Sequence, residues 1–169
     1  MARLRKKHVA AEVRAPALFV ECEWLVVAID AGLVERILLV SDTTTRALPG
    51  PGTCLIDTGT AWVPAWDLDV MMGSEAARGS SWIVVRAPES WPIPAFALRT
   101  GRCVCVRAMP RTIDLPSGLI QLGTGACRSA FATSAIPELA SYSTGIVLDP
   151  LRILSQDQIS RAAVELEHA

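Results

Sequence analysis

Residues 54–68 read Cys54-Leu55-Ile56-Asp57-Thr58-Gly59-Thr60-Ala61-Trp62-Val63-Pro64-Ala65-Trp66-Asp67-Leu68. Two apolar runs, Cys54 to Ile56 and Trp62 to Trp66, flank Asp57-Thr58-Gly59-Thr60, whose aspartate and glycine form turns readily, so the segment predicts a β-hairpin. Asp67 stands where its carboxylate can accept the free amide hydrogens of a first helical turn, and a short helix is expected from there to about Gly73. Upstream, Leu48-Pro49-Gly50-Pro51-Gly52 forces a loop, preceded by apolar runs at Ala17 to Cys22, Trp24 to Ile29 and Val34 to Val40. Downstream, residues 74–80 read as a linker. The strand pattern then restarts at Trp82 to Arg86, Ala95 to Arg99, Arg102 to Arg107, Leu119 to Leu122 and Ala126 to Thr133. Short strands at a spacing of about ten residues, punctuated by Pro, Gly and Ser, favour a small barrel or sandwich over a βαβ fold. The period changes at the end, where Leu151, Ile153, Leu154, Ile159, Ala162, Ala163 and Leu166 recur at helical spacing behind an Asp149-Pro150 cap.

The chain has 169 residues and 18.1 kDa, with 51% hydrophobic and 20% charged residues, so one apolar core can hold it without disulfides or metal. Its net charge of -1 and scattered arginines offer nucleic acid neither a basic stripe nor an aromatic platform. A mean hydropathy of +0.36 is high, yet no run approaches the roughly 18 apolar residues of a membrane span, so direct membrane insertion is not expected and the hydrophobicity belongs to a core or to partner contacts. Arg3, Arg5, Lys6 and Lys7 open a basic N-terminus, but Glu12, Arg14, Glu21 and Glu23 break every candidate signal-peptide core; residues 1–15 read as a flexible solvated tail. Five cysteines without an export signal point to reduced thiols in the cytoplasm, and Cys103 and Cys105, two apart on a strand, are expected on one buried face.

Catalytic constellations are scarce. The two histidines, His8 and His168, lie near the ends of the chain, where a base is rarely held within reach of a nucleophile. The cysteines lack zinc-site spacing, and Gly123-Thr124-Gly125 lacks the later glycine and lysine of a phosphate loop, so no metal or cofactor is expected. Leu55-Ile56-Asp57-Thr58-Gly59-Thr60 before Trp62-Val63-Pro64 does resemble the catalytic loop of pepsin-like and retropepsin-like aspartic proteases. There an inward-turned aspartate shares a proton with a second one, which a retropepsin supplies by homodimerising. That resemblance implies, as the alternative function, a homodimeric protease acting through Asp57.

A longer pattern resembles the CheW-like family of chemotaxis adaptors. It comprises Gly32-Leu33-Val34-Glu35-Arg36-Ile37-Leu38, the threonines leading to Leu48-Pro49-Gly50, Leu55-Ile56-Asp57-Thr58-Gly59, Val63-Pro64-Ala65-Trp66-Asp67-Leu68, and the closing Gly145-Ile146-Val147-Leu148-Asp149-Pro150-Leu151-Arg152-Ile153-Leu154. The resemblance covers about residues 17–155. It implies an all-β fold of two small five-stranded SH3-like barrels sharing a core, with a short helix after the first barrel and a C-terminal helix at 156–169. The implied domain spans 16–155, with the first barrel at about 34–72 plus pairing strands and the second at about 81–148. Function would be non-catalytic: a cytoplasmic bacterial scaffold in signal transduction, coupling a CheA-like histidine kinase to methyl-accepting chemoreceptors through protein-protein interaction. The family's Asn-Leu-Arg-Gly arginine is missing here, whether Gly59 or Thr58 aligns with it, so a more apolar contact is expected. The candidate partner-binding residues are Leu38, Val40, Asp57, Thr58, Gly59, Thr60 and Trp62.

Overall fold

A computed structural model describes residues 14–75, 79–116 and 125–169. The basic N-terminal cluster, the expected strand at Leu119 to Leu122 and most of the Gly123-Thr124-Gly125 turn lie outside the described residues.

The chain opens with a hairpin of β1 (Pro16–Glu21) and β2 (Val26–Asp30). Four strands follow, β3 (Val34–Leu39), β4 (Thr45–Ala47), β5 (Thr53–Asp57) and β6 (Trp62–Asp67), then the one-turn helix α1 (Leu68–Met71). A second hairpin, β7 (Ser81–Arg86) and β8 (Ala95–Thr100), precedes β9 (Cys103–Ala108), β10 (Thr112–Asp114), β11 (Cys127–Ala132) and β12 (Thr144–Leu148), and α2 (Gln156–Glu167) ends the chain. The sheets run β3-β7-β8-β6-β5-β4 and β10-β11-β12-β2-β1-β9. Each contains one parallel junction, β6 with β8 and β12 with β2, the rest being antiparallel.

The two orders are equivalent. Exchanging β3–β6 for β9–β12, and β7–β8 for β1–β2, turns one sheet into the other. The chain is therefore hairpin, four strands, hairpin, four strands, and each hairpin completes the sheet of the other unit. Each sheet has six strands, the short edge strands β4 and β10 among them. The hairpins supply the pairing strands, so residues 81–100 lie in the first sheet and residues 16–30 in the second.

This exchange explains why β1 and β2 read as continuous apolar runs: both faces are covered. Leu18, Val20, Val27 and Ile29 enter a core between the sheets with Trp66, Ile83, Phe96 and Leu98. Ala17, Phe19, Val26 and Ala28 instead pack inside their own sheet with Phe131 and Leu139. The counterpart cluster of the first sheet holds Ile56, Val63, Ala65, Trp82 and Val84. Each large side chain so buried stabilises the fold by roughly 1.5–3 kcal/mol relative to exposure.

Asp67 caps α1 as expected, its Oδ1 accepting the Val70 amide at 3.0 Å. Asp149, however, caps only a 3-10 turn, Pro150–Arg152. Helix α2 starts at Gln156, where the C-terminal helix is expected, behind a capping box in which Ser155 Oγ accepts the Gln158 amide and Gln158 Oε1 accepts the Ser155 amide. Ile159 and Ala162 then bury its apolar face in the inter-sheet core.

Cys103 and Cys105 do not share a face. A bulge pairs Phe19 with Cys105 but Val20 with Cys103, leaving Val104 extra. Cys103 packs on the inter-sheet core and Cys105 inside the second sheet, both half-buried rather than buried.

Candidate partner-binding site

Strand β3 lies at the edge of the first sheet, paired only with β7. Leu38 and Val40, two residues apart, turn the same way and pack half-buried against the Ile56, Val63 and Trp82 cluster. The outward positions are Ile37, 44% exposed, and Leu39, 55% exposed. The sequence Val34-Glu35-Arg36-Ile37-Leu38-Leu39-Val40 is apolar on both faces at this end, so its alternation did not reveal which face meets solvent.

The β5–β6 hairpin ends beside this strand. Asp57 is exposed, its amide donates to Thr44 O at 2.9 Å and its Oδ1 accepts the Gly59 amide at 2.7 Å. Gly59 takes φ +79°, a left-handed conformation that glycine adopts without strain. Thr58 closes the turn, its amide and hydroxyl both donating to Ala61 O, at 3.1 and 2.9 Å, with the Thr60 hydroxyl 3.1 Å away. Trp62, half-buried, pairs in register with Asp57 at the base of the hairpin and shares the strand face of buried Trp66.

Together β3 and the hairpin frame a groove of about 440 Å³, which Leu38, Asp57, Thr58 and Gly59 line with the outward Ile37 and Leu39. Val40, Thr60 and Trp62 do not line it. The turn is also not without an arginine. Arg36 on β3, exposed, donates from Nη1 to Thr58 O at 3.0 Å, placing a guanidinium beside the loop from a neighbouring strand. Arg36 carried no signal in sequence, because only the β3–hairpin juxtaposition gives it meaning.

The protease pattern needs an inward-facing aspartate, whereas Asp57 is exposed and engaged by its own turn. Among the described residues no group of three or more His, Cys, Asp or Glu side chains gathers to hold a metal ion. The five cysteines are unpaired thiols. Burial pushes Cys54 and Cys127 up to about 11, and Cys22 higher still with the help of Asp69 and Asp67. These thiols are therefore poor nucleophiles near neutral pH.

No protein-family model and no curated protein matches the chain. Among solved structures it is similar to the scaffolding protein TtCheW from Thermoanaerobacter tengcongensis, with a TM-score of 0.62 and 14% identity over 80% of this chain and 89% of that one. The two exchanged-hairpin sheets, the short helix behind Asp67 and the docked C-terminal helix thus make up a CheW-like fold.

Proposed function

We propose that this protein is a non-catalytic adaptor of a chemosensory pathway, coupling a CheA-like histidine kinase to methyl-accepting chemoreceptors in the cytoplasm. The observation that carries this reading is the edge of the first sheet, where Ile37 and Leu39 are exposed beside the hairpin groove in a fold shared with a scaffolding protein. An apolar pair flanked by the Arg36 guanidinium suits a partner contact with an apolar centre and a charged rim. No helix among the described residues is long and apolar enough to cross a membrane, so membrane recruitment in this proposal comes from the receptor.

The test is co-sedimentation of the kinase with receptor-containing membranes, with and without the protein. The expected result is kinase recovery that depends on the protein and is lost in Leu39→Glu. Equal recovery without the protein overturns the proposal.

A further inference from the structure

A second, roomier cleft than the β3 groove lies away from β3. It measures about 950 Å³ and opens where β1 begins, β2 and β12 end, and the chain turns from β9 into β10. The duplication of the fold shows why it is open.

Asp67 at the end of β6 and Asp149 just after β12 are equivalent. The Asp67 amide donates to Gly52 O at 2.8 Å and the Asp149 amide to Ala126 O at 2.7 Å, and each carboxylate caps the turn that follows. Asp67 faces Arg99 across the parallel β6–β8 pair, and by the same register the counterpart of Arg99 beside β12 is Asp30. In the first sheet Arg99 reaches Asp67 and donates to Gly79 O at 2.8 Å, and the Asp67 side chain is only 2% exposed. In the second sheet Asp30 offers no such arm, the Asp149 side chain is 25% exposed, and three arginines from separate elements line the space instead.

Their charges are unequally used. Asp30 Oδ1 accepts the Gly32 amide at 2.8 Å. Asp149 Oδ2 is held by Arg128 at 2.9 Å and Arg152 at 3.5 Å. Asp149 is thus ion-paired, whereas Asp30 makes no ion pair, and the cleft lining carries three arginines against two aspartates. Arg14 makes one long hydrogen bond, 3.4 Å to Met109 O, and Arg111 makes no hydrogen bond or ion pair among the described residues. Two guanidiniums with unused donors therefore face a cleft whose apolar lining comes from half-buried Leu33, Met109 and Val147.

We propose that this cleft binds a small organic oxyanion, a carboxylate or phosphate carried on an apolar body. The planar guanidinium matches both oxyanions with paired N–H donors, and the volume suits a small ligand. The site is independent of the β3 groove, sharing none of its residues.

The experiment is a chemical-shift titration of the full chain with phenyl phosphate, benzoate, inorganic phosphate and benzyl alcohol. Saturable shifts at the Met109, Arg111, Thr112 and Asp149 amides are expected with phenyl phosphate and benzoate. Arg111→Gln and Arg14→Gln, both checked for folding by circular dichroism, should each weaken binding about tenfold, while Arg46→Gln on β4 leaves it unchanged. Phenyl phosphate should bind at least about fivefold more tightly than inorganic phosphate, and benzyl alcohol not measurably. Absence of saturable shifts at these amides, undiminished binding in the Arg14→Gln/Arg111→Gln double variant, or equal affinity for inorganic phosphate overturns the proposal.

Discussion

Asp67 Oδ2 lies 3.7 Å from Arg99 Nε, buried and without a hydrogen bond, while Asp67 Oδ1 caps helix α1. Burial pushes the carboxyl above its ordinary range and neighbouring Asp69 adds to this, against the pull of the Val70 amide and Arg99. The folded protein therefore holds this proton to higher pH than the unfolded chain. Stability from Asp67 is fully present below the ordinary carboxylate pKa and is lost as pH rises through the raised value. Asp67→Asn keeps an oxygen for the Val70 amide and removes the buried charge. Urea denaturation at about pH 4 and about pH 7 should show the variant gaining stability relative to wild type as pH rises; a difference independent of pH contradicts the assignment.

Gly145 pairs with Phe131 across β11 and β12, and a Cβ at Gly145 would collide with the Phe131 ring. The ring cannot retreat freely, because Phe19 meets it edge-on with centroids 5.4 Å apart. Gly145→Ala should cost about 1–3 kcal/mol by overpacking, and Phe131→Leu added to it should recover part of that loss. Thermal melts of the single and double variants measure this coupling, and strict additivity of the two changes would argue against the contact.

The thiols give a third check. Moving Cys54 and Cys127 from 9.0 to about 11 leaves about a hundredfold less thiolate near neutral pH. Alkylation at about pH 8 should be slow in the folded protein and complete at all five cysteines after denaturation without reductant, as read by mass spectrometry. Protection of two or more cysteines in the denatured, unreduced chain would contradict the reduced state.

The turn at Asp57 yields a fourth. Its carboxylate serves the Gly59 amide, so no acid-range proteolysis dependent on Asp57 is expected. Peptide-library cleavage that vanished in Asp57→Asn would restore the protease reading.

Much of the fold was legible because its signals are local. The hairpin around Asp57-Thr58-Gly59-Thr60, the Asp67 cap and the long strands follow from turn chemistry and apolar runs. What stayed hidden is pairing between distant segments. Periodicity cannot tell that Ala17 to Cys22 completes the sheet of β9–β12, nor that a bulge at Phe19 and Val20 parts Cys103 from Cys105. Ser155 and Gln158 did carry a local signal, a capping box, but Asp149-Pro150 offered an earlier plausible start. The turn beside the groove was readable from its Asp57-Thr58-Gly59 motif. Ile37, Leu39 and Arg36 were not, because an edge strand apolar on both sides gives no phase and Arg36 meets Thr58 only through the tertiary fold.

Leu38 and Leu39 separate core from the proposed interface most directly. Leu38→Glu buries a charge against the Trp82 cluster and should lower stability by about 2–3 kcal/mol, whereas Leu39→Glu, on the exposed face, should stay within about 0.5 kcal/mol of wild type. The deciding measurement is isothermal titration of the protein and of Leu39→Glu against a CheA-like histidine kinase from the same organism. The adaptor account predicts saturable binding by the wild type that is weakened at least about tenfold in the folded Leu39→Glu variant, because a charge would be desolvated in the contact. No binding by the wild type, or equal affinity for both proteins, contradicts it.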